Sequence, residues 1–288
     1  MHIHVIKVNY KVIFGIGILI ILILLGFMLK PCFAKKETDG ISLPIIMYHS
    51  VLKDTVRSGK YVITPNQLEA DFKYIKEKGY NTITMNDLIK YVEDENASLP
   101  EKPIIITFDD GYYNNFTYVL PLLEKYEMRV VISIVGEYTD NYSKTDEANA
   151  NYSYLRWKDI KQMMETGLVE FQNHTYNLHS NKNGKRGTKK KVSQTQEQYE
   201  KYLSEDILKL QKEFEENTNF VPNTFTYPFG AISKESIDII KNMGFKASLS
   251  CEEGINYINK DKERLFLLKR NNRPSRISSE KFFSKLLK

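Results

Sequence analysis

The sequence predicts an α/β protein built on a largely parallel sheet, closed or open. From residue 43 onward, short apolar runs rich in β-branched residues alternate with longer segments of helical periodicity. Strands separated by helices at this spacing pair in parallel. The clearest strand, residues 104–108 (IIITF), has apolar side chains on both faces, which is typical of a strand covered on both sides. Two carboxylates, Asp109 and Asp110, follow directly, at the strand end where parallel sheets place their chemistry.

Composition bounds the size and class of the protein. The chain has 288 residues, 42% of them hydrophobic, so it can bury a large core. The part that follows residue 42 fits one α/β barrel or two small domains. The net charge of +5 is mild and carried mostly by lysine, so we expect no nucleic-acid partner. Only Cys32 and Cys251 occur, which excludes a disulfide framework. We expect a monomer.

The N-terminal region predicts a membrane anchor. Residues 12–29 form an unbroken run of 18 apolar or glycine residues, and such a helix spans a hydrocarbon layer of roughly 30 Å. We therefore expect a short cytoplasmic tail over residues 1–11, a transmembrane signal anchor over 12–29 and a linker over 30–42. Residues 43–288 would then form an extracellular domain at the cell membrane. Cleavage after Ala34, which would secrete the domain, is the alternative.

The elements follow in order along residues 43–288. Strands are predicted over residues 45–48, 81–84, 104–108, 130–135, 168–172, 224–227 and 245–249. Helices are predicted over residues 65–78, 87–92, 116–126, the stretch that ends at Gly167, 197–216 and 237–243. Thr64 and Gln67 are expected to form a capping box around Pro65.

Two stretches interrupt the alternation of strands and helices. Residues 137–154 are polar and predict a long loop. Residues 180–193 contain six basic residues and predict a mobile segment. Its basic part, 182–191, is either a solvated loop or a cover over the site that attracts an anionic polymer.

Three histidines occur in the domain, His49, His174 and His179, each at a predicted strand end or just beyond it. Together with Asp109 and Asp110 they suit a mononuclear metal site, because two imidazoles and one carboxylate leave coordination positions open, as in catalytic zinc sites. The step of five between the last two histidines excludes the helical metalloprotease motif, which needs four. A metal there would lower the pKa of a bound water to about 7, and the second aspartate would be free to act as general base.

Three segments in the right order resemble a known family. Residues 107–112 (TFDDGY), 173–179 (NHTYNLH) and 226–230 (TYPFG) are similar to the motifs of NodB-type polysaccharide deacetylases, carbohydrate esterase family 4. The resemblance covers residues 43–273 and implies a distorted parallel (β/α) barrel of about seven strands. Residues 44–51 (PIIMYHSV) and the five-residue histidine step resemble the branch that removes N-acetyl groups from poly-N-acetylglucosamine exopolysaccharide and releases acetate.

The resemblance implies a role for each matching residue. Asp109 matches the catalytic base, while Asp110, His174 and His179 match the ligands of one divalent metal ion. We expect Zn²⁺, with Co²⁺, Ni²⁺ or Mn²⁺ as alternatives. No histidine follows His179, so the general acid implied by the exopolysaccharide branch is His49.

Three further residues are expected at the substrate. Tyr227, beside Pro228 in the groove motif, would offer its backbone N–H to the oxyanion. The family arginine that orients the base is missing ahead of this motif, and Arg270 is the substitute we expect.

Other functions fit the same residues. A peptidoglycan N-acetylglucosamine or N-acetylmuramic acid deacetylase is the first alternative, and an acetylxylan esterase is a more distant one. From another class, a noncatalytic cell-surface glycan-binding protein is disfavoured because it has no need of Asp109. Non-haem iron oxygenases share the two-histidine, one-carboxylate ligand set, but the chain lacks their His-x-Asp/Glu motif.

Overall fold

The computed structural model describes residues 39–182 and 186–287. The predicted tail over 1–11, the anchor over 12–29 and most of the linker over 30–42 lie outside these ranges. Among the described helices, none is long and apolar enough to cross a membrane.

The described domain contains twelve strands and eight α-helices. The strands are β1 (Ile41–Leu43), β2 (Ile45–Tyr48), β3 (Ser50–Val51), β4 (Val62–Ile63), β5 (Asn81–Thr82), β6 (Pro103–Asp110), β7 (Val130–Ile134), β8 (Val169–Asn173), β9 (Thr224–Thr226), β10 (Ala247–Leu249), β11 (Asn256–Ile258) and β12 (Asn271–Asn272). The helices are α1 (Pro65–Glu77), α2 (Met85–Glu93), α3 (Leu120–Tyr126), α4 (Gly136–Thr145), α5 (Trp157–Glu165), α6 (Gln196–Thr218), α7 (Lys234–Asn242) and α8 (Ser279–Phe283). A π-helical turn (Asn115–Val119) precedes α3, and 3-10 turns cover Pro228–Gly230 and Lys262–Leu265.

A curled parallel sheet lies at the centre of the domain. Seven strands follow the order β10, β9, β8, β7, β6, β2, β12, and β5 pairs with the start of β6. All these pairings are parallel. A bridge between Leu249 and Leu268 joins β10 to the segment that leads into β12. Residues 268–272 therefore contact both β10 and β2, which is consistent with the expected distorted (β/α) barrel.

Strand β6 divides its side chains between two faces. Ile104, Ile106 and Phe108 belong to one buried hydrophobic cluster, and Ile105 belongs to another. Successive side chains of a strand point to opposite faces, so Asp109 shares the face of Ile105. All eight residues of β6 are buried, including both aspartates. The strand is thus longer than predicted, and it carries the two carboxylates to its end.

Every predicted strand and helix is present, but several details of the sequence prediction are wrong. Strand β1, which pairs antiparallel with β11, was not predicted, and it includes residues 41 and 42 of the expected linker. Thr64 caps α1 by accepting the Gln67 N–H at 3.2 Å. The Gln67 side chain instead donates to the Ile277 carbonyl at 3.1 Å, so a tertiary contact replaces the expected capping box.

The predicted loop over residues 137–154 contains helix α4. The polar sequence did not predict this helix, because tertiary hydrogen bonds stabilise it more than an apolar face does. Asp140 accepts from the indole N–H of Trp157 at 2.8 Å and from the hydroxyl of Tyr176 at 2.9 Å.

The predicted mobile segment is anchored in its second half. Thr188 is buried and donates its hydroxyl to the Ala231 carbonyl at 2.8 Å. Its own carbonyl accepts the Tyr199 hydroxyl at 2.6 Å. A buried threonine with both groups paired restrains the backbone at this point of the segment.

Candidate active site

The turn after β6 presents the two aspartates. Asp110 has φ 74° and Gly111 has φ 73°, and a positive φ at a non-glycine residue stores strain that is common at functional sites. A Cβ at Gly111 would lie 2.8 Å from the Ile134 side chain. Glycine is therefore required at position 111, both for its φ and for the close approach of β7.

Asp110, His174 and His179 come together at this end of the sheet. Their ligand atoms lie within 4.8 Å of one another. Asp110 Oδ1 is 3.2 Å from His179 Nε2 and 3.6 Å from His174 Nε2. This buried oxygen has no hydrogen-bond partner among the described residues, although two nitrogens face it. A carboxylate oxygen and two imidazole nitrogens that converge without bonding one another fit a divalent metal ion.

Hydrogen bonds orient the two histidines. His174 Nδ1 lies 2.8 Å from the Thr226 carbonyl, which favours the tautomer protonated at Nδ1 and leaves Nε2 free as a ligand. His179 follows a tight loop in which Thr175 has φ 73°. The Thr175 N–H donates to the Asn173 side chain at 2.8 Å, and the strained loop carries His179 back toward Asp110.

The electrostatics of the triad suit metal binding. Burial, and then the neighbouring His174, lowers the pKa of His179 to about 4. Burial alone would raise the pKa of Asp110, but the facing imidazoles outweigh it and lower the pKa. At neutral pH the carboxylate is thus ionised and the His179 imidazole neutral, which are the protonation states in which these side chains act as ligands.

Asp109 is held by Arg270 through a two-point ion pair. Arg270 Nη1 and Nη2 donate to Asp109 Oδ1 and Oδ2 at 2.7 and 2.8 Å. The guanidinium also donates to the Ser250 carbonyl at 2.8 Å and to the Thr107 hydroxyl at 3.2 Å. Burial would raise the pKa of Asp109, yet Arg270 holds it below its ordinary value. Arg270 therefore contacts Asp109, the base that it was expected to orient.

His49 reaches the same site from the end of β2. Its carbonyl accepts the Asn115 side-chain amide at 3.1 Å, and its ring centroid lies 4.7 Å from that of Tyr61. Nδ1 is buried without a hydrogen-bond partner among the described residues. Burial lowers the pKa of His49, and the Asp110 and Asp109 carboxylates oppose this shift less strongly.

The site opens into a cavity of about 410 Å³. It is lined by Met47, His49, Lys60, Tyr61, Asp109, Asp110, Tyr112, His174, His179, Phe229, Cys251, Glu253 and Asn272. Sequence reasoning assigned no role to eight of these residues. Tyr112 follows the Asp-Asp-Gly turn and could have been found there. Lys60, Glu253 and Asn272 arrive from distant segments without a local signal.

The expectation for Tyr227 and Pro228 is wrong in its detail. The Tyr227 N–H donates to the Leu249 carbonyl at 3.1 Å, as a residue at the end of paired strands does, so it is not free for an oxyanion. Tyr227 is fully buried, and neither residue is among the described residues that line the cavity. Phe229 is the residue of this motif that reaches the cavity, with its ring centroid 4.2 Å from that of His179.

Solved structures share this fold. The Streptococcus pyogenes deacetylase PplD in complex with acetate superposes with a TM-score of 0.70 at 19% identity, over 86% of this chain and 99% of its own. At this identity the likeness establishes the fold and no more.

Two named relatives are similar in sequence. A poly-beta-1,6-N-acetyl-D-glucosamine N-deacetylase of Escherichia coli O157:H7 is 23% identical over 78% of this chain and 36% of its own length. The enzyme of the same name from Staphylococcus aureus (strain MSSA476) is 27% identical over 67% of this chain and 62% of its own. The chain thus matches about a third of the first relative and less than two thirds of the second.

The family model that matches this chain covers the residues of the site. The polysaccharide deacetylase model matches residues 96–248, which is more than half of the chain. The matched stretch contains both aspartates, His174 and His179. Because the match is that long and encloses the metal triad, this chain belongs to the polysaccharide deacetylase family.

Proposed function

We propose that the protein is a metal-dependent N-deacetylase that removes acetyl groups from N-acetylglucosamine units of a poly-N-acetylglucosamine exopolysaccharide. The observation that carries this proposal is the arrangement of Asp109, fixed by Arg270, beside the converging Asp110, His174 and His179 in one cavity. A divalent metal bound by this triad would polarise a carbonyl and acidify a water. Zn²⁺ is the metal we propose, with Co²⁺, Ni²⁺ or Mn²⁺ as alternatives.

Asp109 is the general base in this proposal. Its lowered pKa keeps it ionised at neutral pH, and the residue lines the cavity. It would accept a proton from the water that attacks the acetyl carbonyl carbon. Arg270 holds both carboxylate oxygens, so the base is oriented before substrate arrives, and such positioning lowers the entropic part of the barrier.

The oxyanion contact is assigned to the Phe229 N–H. Pro228 has no N–H, while the amides of Tyr227, Gly230 and Ala231 already donate to carbonyls. Among the described residues no carbonyl accepts from Phe229, and Phe229 lines the cavity. A backbone donor directed at the developing negative charge contributes a few kcal/mol to such a reaction.

His49 is the proposed general acid. It lines the cavity beside Asp109 and Asp110, where a protonated ring would donate to the departing nitrogen as the C–N bond breaks. Burial lowers its pKa, so its protonated form is a stronger acid than an exposed imidazolium. The products are acetate and an amine, so each turnover converts a neutral sugar into a cationic one at neutral pH.

The substrate and location in this proposal rest on the named relatives and on the N-terminal sequence. Both relatives are named for poly-N-acetylglucosamine, which supports an acetylated polysaccharide as the partner. The proposed anchor over residues 12–29 would hold the domain outside the cell membrane, as a single-pass protein and a monomer, where such a polymer accumulates. Release after Ala34 remains the alternative form.

Acetate release by the full-length protein tests the substrate. Poly-N-acetylglucosamine oligomers and peptidoglycan fragments are offered separately, with and without chelator. We expect chelator-sensitive release from the oligomers. Release from peptidoglycan alone would move the protein to cell-wall modification with the same residues in the same roles. No release from either glycan by the metal-loaded protein would contradict the proposal.

A pair of histidine variants tests the assigned roles. His49→Ala should keep its metal and lose most of its turnover, because the acid is removed and the triad is intact. His174→Ala should lose both metal and turnover. Metal content and acetate release are measured on the same preparations, and full activity in His49→Ala would remove the acid assignment.

A further inference from the structure

We propose that a cluster of tyrosines beside the cavity is a binding subsite for neighbouring sugar units of the substrate, so that the protein acts on a polymer rather than on short fragments. This inference deepens the proposed function and rests on it. The cluster, called here the tyrosine patch, consists of Tyr112, Tyr138, Tyr142, Tyr152 and Tyr154.

The patch is a contiguous group of aromatic rings around Tyr154. The centroid of the Tyr154 ring lies 4.9 Å from Tyr112, 4.5 Å from Tyr138 and 5.7 Å from Tyr142. Tyr152 joins the group through its carbonyl, which accepts the Tyr142 hydroxyl at 3.3 Å. The ring distances are typical of packed aromatic pairs, so Tyr112, Tyr138, Tyr142 and Tyr154 form one surface, and Tyr152 adjoins it through its backbone.

The backbone ties the patch to the catalytic turn. Tyr112 and Tyr154 form an antiparallel bridge, and the Leu155 N–H donates to the Gly111 carbonyl at 2.8 Å. The Tyr138 hydroxyl lies 3.4 Å from the His179 carbonyl, to which it donates. The patch therefore has a fixed position relative to Asp109 and Asp110, which a subsite for the same chain of sugars requires.

The patch is continuous with the cavity and open to solvent. Tyr112 lines the cavity and the other members extend from it over α4 and the segment that follows. The core tyrosines Tyr199 and Tyr227 are fully buried, whereas Tyr152 is 52% exposed. The remaining members of the patch are only partly buried. Packing alone does not account for so many partly exposed aromatic rings next to an active site.

The chemistry of the patch favours a sugar chain. A pyranose ring with equatorial substituents presents a flat face of C–H groups that packs on an aromatic ring, and its hydroxyls bond polar groups at the edge. Tyrosine supplies both an apolar body and a polar tip, and aromatic side chains with a few polar groups are typical of ligand sites. The occupant we infer is the acetylated polysaccharide itself, which enters the cavity by one unit and extends over the patch with the units that follow, so that a dimer does not reach the outer rings.

Chain-length dependence tests the inference in the full-length, metal-loaded protein. The substrates are N-acetylglucosamine dimer and hexamer, and the variants remove the outer rings, Tyr142→Ala with Tyr152→Ala. We expect kcat/KM for the hexamer to fall about tenfold through KM, since the contacts of two aromatic rings with the substrate are lost. The dimer should change by less than about twofold. Tyr152→Phe keeps the ring and should behave more like wild type.

Tyr257→Ala is the matched control, because Tyr257 is partly buried and lines a different cavity. It should leave both substrates unaffected. Equal losses on dimer and hexamer, or none on the hexamer, would overturn the subsite and leave the proposed deacetylase function standing.

A direct binding measurement separates the two proposals. Hexamer binding is measured by calorimetry in the Asp109→Asn background, with and without the double tyrosine change. We expect the double variant to bind the hexamer about tenfold more weakly. If wild type released no acetate at all, the proposed function would fail, and this comparison would still decide the patch. Equal hexamer affinity in both proteins would overturn it.

Discussion

Two buried arginines lie three residues apart on the same segment. Each forms an ion pair with a buried aspartate, and the two pairs have nearly the same geometry. Arg270 donates to both oxygens of Asp109 at 2.7 and 2.8 Å. Arg273 donates to both oxygens of Asp71 at 2.8 and 2.9 Å. Yet Asp109 lines the cavity, while Asp71 on α1 is sealed and accepts a third hydrogen bond from the Tyr48 hydroxyl at 3.0 Å.

The difference lies in what occupies the remaining lone pairs of each carboxylate. Those of Asp71 are filled by protein donors, so the pair joins α1 to the C-terminal segment. Among the described residues only Arg270 donates to the Asp109 side chain, which lines the cavity, so this carboxylate is available to a water or a substrate. A buried ion pair is weak evidence for either stability or function by itself. Access to the cavity distinguishes the two roles here.

The largest effect on activity is expected from a change in the Arg270–Asp109 pair, whose aspartate lines the cavity. Asp109→Asn keeps the size of the side chain and removes the base, so kcat should fall about 10²–10⁴-fold with bound metal unchanged. Asp71→Asn is the matched control and should leave kcat of the folded protein close to wild type. Acetate release and metal content are measured together. Retention of more than a tenth of the activity in Asp109→Asn would refute its role as base.

The fully buried Arg273–Asp71 pair should have the larger effect on the free energy of unfolding. Arg273→Met leaves the Asp71 carboxylate buried without its partner, which costs about 3–5 kcal/mol in comparable cases. Urea unfolding measures the loss. Adding Asp71→Leu to Arg273→Met removes the unpaired charge and should restore part of the stability. If the double variant were no more stable than Arg273→Met alone, the charge would not be the cause.

A change in how Arg270 contacts the base should have a smaller effect on kcat. Arg270→Lys keeps the charge but holds one carboxylate oxygen instead of two, and kcat should fall about tenfold because the base is less well positioned. KM and metal content should stay the same. Arg273→Lys is the companion variant and should lower the melting temperature without lowering kcat. Identical kcat in wild type and Arg270→Lys would show that the two-point contact is unimportant.

Another buried carboxylate, Glu170 on β8, has no arginine partner among the described residues and provides a contrast to both pairs. Burial raises its pKa, against smaller opposing contributions from Gln172 and the Asn86 N–H. A raised pKa in the folded state favours the protonated form, so this contribution to stability is present below the unfolded pKa and is lost as pH rises through the folded pKa.

Glu170→Gln removes this titration. Its stability relative to wild type should therefore increase as pH rises above about 4.3, the ordinary pKa of a glutamate. A constant offset is also expected, because the new amide would face the Gln172 amide that now donates to Glu170 at 2.8 Å. Urea unfolding at several pH values separates the pH-dependent part of the stability difference from the constant part. Parallel curves for the two proteins would contradict the assignment.

Residues that lie within one short motif were predictable from the sequence. Asp109 and Asp110 end a run of β-branched residues, and His174 and His179 follow another strand, so chain order alone placed them at one sheet edge. The strands themselves were predictable because burial on both faces leaves a continuous apolar pattern. Their ends were less so, since β6 continues through two charged residues that tertiary contacts stabilise.

Features that depend on distant segments were not predictable in detail. Arg270 was proposed to orient the base, but its contact with Asp109 joins residues 161 positions apart. Tyr227 was chosen as oxyanion donor because it belongs to the motif, but pairing of β9 with β10 decides which amide is free. Helix α4 was missed because its stability comes from Trp157 and Tyr176 rather than from an apolar face.

The most direct test of the central claim is acetate release from poly-N-acetylglucosamine oligomers as a function of bound metal. The full-length protein is stripped with chelator, reloaded stepwise and assayed at each metal-to-protein ratio, beside Asp109→Asn. We predict that wild-type activity rises in proportion to metal and saturates at one ion per chain, while Asp109→Asn binds the same amount and stays inactive. Undiminished acetate release by the stripped protein, or an active metal-loaded Asp109→Asn, would contradict the account.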